Sequence, residues 1–444
     1  MITQEPVVRV GIFEHSAVAR GTMRGRFAVS NVIGLEGDFE VRSERGTVIF
    51  QNAGGRRILS EDEIRCQPLE AGTVLLKDVK IGVAFHWERN QDQVFQGKVR
   101  FVAQDGKTIA AINEIELEPY LKSVIASEMS ATAPLELLRA HAIVSRSWLA
   151  ALQERRRSDE QRGTHGMTTI ERDNEIIRWY GHEDHAIFDV CADDHCQRYQ
   201  GIAPIVSETV GQAMDSTRGV FLVMGDKICD TRYSKACGGL SENFENEWED
   251  VPVPYLQCVS DSTTKHRPLR TEQDADRWIR SRPEAYCNTT DSNILRQVLP
   301  SFDQETMDFF RWTIAYSREE LEELIRKKSG IDFGTLHDLV PVERGLSGRI
   351  IKLKIVGSKK TLTVGKGLEI RKWLSKSHLY SSAFTVDVER DAQNVPVRFV
   401  LNGAGWGHGV GLCQIGAAVM ATQGFKAEDI LSHYFKGAKL EKLY

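Results

Sequence analysis

Glu128 closes the apolar run Ser123-Val124-Ile125-Ala126-Ser127 and is followed by Met129. A carboxyl group held against Val124, Ile125 and Met129 would lose water, keep its proton near neutral pH, and be able to protonate a glycosidic oxygen. The same position also suits a solvated glutamate at a helix break. Arg139 and Arg146 follow at a spacing of about two helical turns, so they share a helix face. Two guanidinium groups there could bind a carboxylate or a negatively charged sugar substituent, or form a plain solvated basic face.

A second constellation is Gly403-Ala404-Gly405-Trp406-Gly407-His408-Gly409-Val410-Gly411-Leu412-Cys413-Gln414-Ile415-Gly416, with six glycines in fourteen residues. Glycine lets such a loop approach a ligand closely, Trp406 could stack on a sugar ring, and His408 and Gln414 supply polar groups. The run matches neither the dinucleotide fingerprint nor the P-loop with its lysine. A third constellation is His182, His185, Cys191, Asp193, Asp194, His195 and Cys196. Thiols and imidazoles this dense have zinc-ligand chemistry, although the spacing fits no standard finger or ribbon and two buried thiols beside surface histidines would read alike. Tyr233-Ser234-Lys235-Ala236-Cys237-Gly238-Gly239 reads as a strand entering a glycine turn.

The elements that must position these residues alternate. Residues 1–118 read as β-rich, with strands at Val7–Phe13, Thr47–Phe50, Gly72–Leu76, Ile81–Phe85, Lys98–Ala103 and Thr108–Ile115, forming an open sheet or small barrel. Near residue 119 the period becomes helical, with Leu121, Val124 and Ile125 on one face. Pro134 then suits the first turn of a long helix, which the cations Arg155-Arg156-Arg157 should end. Residues 158–185 are polar and read as loop, with a short helix as the alternative. Short strands follow to 260, two helices lie within 270–330, strands return over 348–402, and a helix spans 417–435. The expected fold is α+β: several small β-sheets or barrel-like subdomains around a long catalytic helix, with a substrate cleft. The expected segments are 1–118 (β-rich), 119–260 (core with the Glu-bearing helix and Cys/His segment), 261–345 (a helical or mixed insertion) and 346–444 (β region, Gly-rich loop and terminal helix).

The chain has 444 residues, 57 basic and 62 acidic, for a net charge of −5. That balance gives no global field for nucleic acid. Eight cysteines are too few for a disulfide scaffold of this size. The start, Met1 to Pro6, carries no basic and apolar leader, and no apolar run is long enough to span a membrane. Taken literally, this places the chain in the cytoplasm.

These segments, in this order, resemble the SpoIID/LytB family, which includes stage II sporulation protein D and the amidase enhancer. The resemblance is carried by Val124 to Met129 with the following Leu138 to Arg146 helix, then Cys196-Gln197-Arg198-Tyr199-Gln200-Gly201, Glu208 to Gly211, Tyr233 to Gly239, and Trp406 to Ala417. The sequence departs from the family pattern at His141, where Gln is common, at Arg139, where Lys is frequent, and at Cys413 and Ile415, where Ser and Tyr are frequent. The resemblance implies a lytic transglycosylase. It would cut the MurNAc–GlcNAc β-1,4 bond of peptidoglycan strands, often denuded ones, and leave 1,6-anhydro ends in the cell envelope. Glu128 and Arg146 would be catalytic, and Arg139, Tyr233, Trp406, His408 and Gln414 would contact substrate. No cofactor would be needed for the chemistry, and a structural zinc would sit on His185, Cys191 and Cys196. Glu128, Arg146 and His408 are expected close together. Two other readings compete: a non-catalytic glycan-binding enhancer of a cell-wall amidase, and a zinc hydrolase built on residues 182–196.

Overall fold

The computed structural model describes residues 2–83, 88–130, 132–162, 168–180, 185–193, 195–202, 207–298 and 308–444. His182, Asp194 and the end of the expected strand Ile81–Phe85 lie outside them. The chain is α+β with several separate sheets, and among the described residues no sheet closes into a barrel. It divides into two compact units. The first comprises Met1–Arg146, Glu183–Val220 and Lys442–Tyr444, and the second Ser147–His182 and Phe221–Glu441.

The first unit is built on one large sheet. Its main path runs Val190–Cys191, Val7–Ser16, Thr108–Glu116, Lys98–Gln104, Glu63–Pro68, Val18–Val29, Val32–Glu44, Thr47–Asn52 and Arg57–Ser60. Thr73–Ile81 pairs with Val18–Val29 and with Arg89–Gln96. The sheet takes the open form of the two expected, and it is enlarged by two long strands, Val18–Val29 and Val32–Glu44, whose interleaved charges and glycines hid them in the sequence. Met23, Phe27, Phe39 and Val41 are nonetheless buried at alternate positions along them.

Thr108–Glu116 runs straight into helix α1, Leu117–Glu128. Leu117, Tyr120, Leu121, Val124 and Ile125 are buried along one helical stripe. The helix stops at Met129, whose backbone is extended and whose N–H still reaches the Ile125 carbonyl. Pro134 stands just before helix α2, Leu135–Arg162, and its carbonyl accepts the Leu138 N–H. The cations at 155–157 do not end α2, because Arg155 reaches Asp230 and Glu249 instead.

Glu118 of α1 and Arg146 of α2 form a buried two-pronged ion pair. Arg146 Nε donates to Oε1 at 2.9 Å and Nη2 to Oε2 at 2.7 Å. Nη1 donates to the Val220 carbonyl at 3.1 Å, and the Arg146 side chain is fully buried. Glu118 also accepts from the Gly219 N–H and the Tyr444 hydroxyl. Burial works against the carboxylate, but the guanidinium holds it below its ordinary value.

In the second unit Thr169–Arg172 and Glu175–Arg178 form a hairpin where a loop was expected. The second strand is parallel to Thr361–Gly365, which continues through Ile350–Gly357 to Leu336–Arg344. Arg311–Ser317, Pro396–Ala404 and Phe384–Arg390 form a three-stranded sheet. Trp312, Leu321, Ile325, Leu353, Phe384 and Phe399 share a core with both sheets. Among the described residues of 270–330 there are three helices rather than two, Ser292–Val298 being too short for its period to register. The expected C-terminal helix is broken into Gln414–Thr422 and Ala427–Tyr434 at Gly424, whose φ is +92°.

Removing one partner of a buried pair leaves the other charge uncompensated. Arg146→Met is therefore expected to destabilise the chain by about 3–5 kcal/mol in urea unfolding, and adding Glu118→Leu should recover most of that loss. Equal losses in the single and double variants would contradict the assignment.

Candidate functional site

Glu128 is the last residue of α1 and is half-buried. Its Oε1 accepts the backbone N–H of Arg198 at 3.2 Å. This contact belongs to a longer docking of residues 197–201 along α1. Gln197 Oε1 accepts from the Tyr120 hydroxyl at 3.2 Å, and its amide donates to the Ser145 carbonyl at 3.3 Å. The Gln200 N–H reaches Ser123 Oγ at 3.3 Å, and Arg198 Nη1 reaches the Ser127 carbonyl at 3.3 Å. Tyr199 stacks on Tyr120 with ring centroids 5.2 Å apart. The carboxylate is thus tied to the irregular segment 197–200 by backbone rather than by a mobile side chain.

His141, on α2, is fully buried, and its Nδ1 lies 3.1 Å from Ser145 Oγ. Burial outweighs the nearby Glu128 charge and pushes the imidazole down to about 4. It is therefore a neutral polar group at pH 7, as Gln would be.

Arg139 pairs with Glu136 one turn back at 3.0 Å, and Arg146 is taken up by Glu118. Arg139 and Arg146 therefore do not form one open basic face: Arg146 faces Glu118 and Val220. A hollow of about 390 Å³ flanks α1 beside Lys122 and Arg218, but Glu128 does not line it.

His185, Cys191 and Cys196 come together as expected, with His195 as a fourth donor, all four ligand atoms lying within 4.8 Å of one another. Cys196 Sγ is 3.4 Å from His185 Nε2 and 3.5 Å from His195 Nδ1. With Zn–S at about 2.3 Å and Zn–N at about 2.0 Å, the sulfur–nitrogen edge of a tetrahedral site is about 3.5 Å, so these residues fit zinc. The neighbouring Cys196 thiol, followed by the His185 and His195 rings, draws the Cys191 thiol well below its ordinary value. His195 stood in the Cys/His run of the sequence, but its adjacency to Cys196 gave no spacing that marked it as a ligand.

Tyr233, Trp406, His408 and Gln414 fall in the second unit, whereas Glu128 and Arg146 fall in the first. Tyr233–Ser234 pairs in parallel with Leu412–Cys413. The Gly-rich loop spends its backbone internally: Trp406 and Ala236 exchange two hydrogen bonds, the Gly407 N–H goes to the Tyr380 carbonyl, and the Leu412 N–H goes to the Arg232 carbonyl. It is thus no open anion cradle. Trp406 stacks on Tyr380 at 4.0 Å and meets Phe309 at 4.8 Å. Gln414 is buried at the first turn of its helix.

His408 Nδ1 accepts the Val410 N–H at 3.0 Å, and the ring meets Trp248 edge-on. Burial, then Arg232, Arg349 and Arg371, push its imidazole well below the ordinary value. Arg349 lies under the loop, where a Cβ at Gly409 would strike its guanidinium carbon at 2.2 Å. Glu247 was not singled out in the sequence. Burial raises its carboxyl to about 7, against the pull of Arg349 and Arg371. No spacing signal marks it, because the burial that perturbs it is assembled by tertiary contacts.

Residues 105–224 match the family model described as stage II sporulation protein, and residues 242–411 match a domain of unknown function. The chain is 26% identical over 351 residues to an uncharacterized protein of Brachyspira hyodysenteriae, covering 78% of this chain and 72% of that protein. It is 22% identical over 332 residues to stage II sporulation protein D of Bacillus amyloliquefaciens, covering 75% and 76%. The protein of the same name from Bacillus subtilis is also 22% identical, over 333 residues, covering 75% and 76%.

His141 generates a pH prediction. Its folded value of about 4 lies below the ordinary 6.5. The stability tied to the neutral ring is therefore present above pH 6.5 and lost as pH falls towards 4, by roughly 3 kcal/mol. His141→Gln should flatten this part of the stability–pH curve in urea titrations, whereas parallel curves for variant and wild type would rule the role out.

Residues 105–224 resemble the stage II sporulation protein (SpoIID) family, and the similarity to proteins named stage II sporulation protein D extends over three quarters of the chain.

Proposed function

We propose that the protein is a peptidoglycan lytic transglycosylase with Glu128 as its acid and base. The observation that carries the reading is the placement of Glu128: a half-buried carboxylate at the end of a packed helix, held through one oxygen by the Arg198 N–H.

One carboxyl group suffices for the reaction. The Glu128 acid gives its proton to the glycosidic oxygen as the bond from that oxygen to C1 of MurNAc breaks, releasing the GlcNAc 4-hydroxyl. The resulting carboxylate takes the proton of the MurNAc 6-hydroxyl as O6 bonds to C1. The 1,6-anhydro product forms and Glu128 regains its proton. The attacking hydroxyl belongs to the same sugar, so its effective concentration is high and no second nucleophilic carboxylate is required.

His141 remains neutral beside Glu128 and adds no competing positive charge. Arg146 acts as a positioning residue, since its guanidinium fastens the start of α1 to α2. Zinc on His185, Cys191, His195 and Cys196 would be structural, because four protein donors leave no open position. It would pin residues 185–196, immediately before the segment that holds Glu128.

The test is mass spectrometry of products from denuded peptidoglycan strands. The expected product ends are anhydro sugars, one water lighter than reducing ends, and the folded, chelator-treated protein should give the same ends. Reducing ends that vanish with chelator would establish a zinc hydrolase instead. Retained strand binding with no product would favour the glycan-binding enhancer of a cell-wall amidase.

A further inference from the structure

Cys237, Asp261, Cys287 and Cys413 are scattered over 177 residues of sequence, yet their ligand atoms all lie within 4.8 Å of one another and all four residues are buried. Cys237, Cys413 and Cys287 are at most 2% exposed and Asp261 is fully buried. All four belong to the second unit.

The geometry points to a second, buried metal site of Cys3Asp type that takes a single tetrahedral zinc-like divalent cation. The Cys237 and Cys287 sulfurs are 3.8 Å apart. That is the sulfur–sulfur edge of a tetrahedron with Zn–S at about 2.3 Å, namely about 3.8 Å. It is far longer than a disulfide bond of about 2.05 Å. A polynuclear iron–sulfur centre would place its thiolates on different irons, farther apart than the edges of one ion's tetrahedron, and the common limit of 4.8 Å leaves no room for one.

The surroundings are those of thiolate ligands. The Cys237 N–H donates to Cys413 Sγ at 3.3 Å, the Gly416 N–H to the same sulfur at 3.4 Å, and the Gly239 N–H to Cys237 Sγ at 3.4 Å. Backbone N–H groups aimed at sulfur orient and stabilise a metal-bound thiolate. The turn that aims them needs glycine, since Gly238 and Gly239 have φ of +83° and +103°. Asp261 is oriented in the same manner, accepting from the Tyr434 hydroxyl at 2.5 Å and from the Cys287 N–H at 2.9 Å. Such outer-shell partners fix a ligating carboxylate.

Four protein donors with no opening to solvent make a structural site. Its placement gives it a task. Asp261 and Cys287 lie inside the segment matched by the domain of unknown function, and Cys237 and Cys413 stand just outside its two ends. Cys413 also ends the Gly-rich loop and caps the helix Gln414–Thr422. One ion would therefore tie Asp261 and Cys287, inside that segment, to the residues that flank its two ends.

The experiment isolates this site from the His185 cluster. The full chain carrying Cys191→Ser and Cys196→Ser is expressed with zinc in the medium, its metal content is counted by native mass spectrometry, and the bound zinc is read by X-ray absorption. The expected result is one zinc per chain with three sulfurs and one oxygen, lost on adding Asp261→Asn or Cys287→Ser. The same protein reconstituted with cobalt should show thiolate-to-cobalt charge-transfer bands, which keeps the proposal testable if those last variants fail to fold. A folded protein with no metal overturns it, whether the three cysteines are free thiols or two form a disulfide seen as the loss of two hydrogen masses. Bound zinc without sulfur ligands overturns it equally.

Discussion

A carboxylate at the C-terminal end of a helix faces the unfavourable end of the helix dipole and swings freely unless something ties it. Here the tie is the Arg198 N–H on Glu128, and the neighbouring structure serves that contact. Tyr120, Ser123 and Ser127 present hydroxyl and carbonyl groups along α1, and Gln197, Gln200 and Arg198 respectively meet them. Stacking of Tyr120 on Tyr199 covers the joint with apolar surface. The Glu118–Arg146 pair fastens the opposite end of the same helix to α2. The helix that carries the proposed acid is therefore held at both ends, by backbone hydrogen bonds at one and by a buried ion pair at the other, as a preorganised site requires.

Histidines are kept uncharged in both units, for one shared reason and one local one. His141 and His408 are both neutralised by burial, and His408 is pushed further by Arg232, Arg349 and Arg371. In the second unit the Gly-rich loop is a packed element. Its peptide groups are used by Ala236, Tyr380 and Arg232, and Trp406 is stacked on Tyr380. Glycine is needed at position 409 because the buried Arg349 guanidinium lies where a Cβ would go.

The parts legible in the sequence were those governed by local period. The apolar spacing of Leu121, Val124 and Ile125 marked α1, and α2 followed from the same rule. The Cys/His run was visible because its donors lie within a dozen residues. What escaped was set by distant partners. Arg146 looked available because Glu118, 28 residues earlier, cannot be recognised as its partner from spacing. The strand Val18–Val29 was disguised because its outward positions are Arg20, Arg24 and Arg26, and an inward one is a glycine. The Cys237, Cys287 and Cys413 thiols are brought together by folding alone.

The most direct measurement of the role given to Glu128 compares turnover and strand binding in wild type and Glu128→Gln on denuded peptidoglycan. Loss of an essential acid and base should lower turnover at least about 10³-fold, while pelleting with the glycan stays within about twofold of wild type, since Gln retains the shape and accepts the same Arg198 N–H. Turnover by Glu128→Gln within about tenfold of wild type would contradict that role outright.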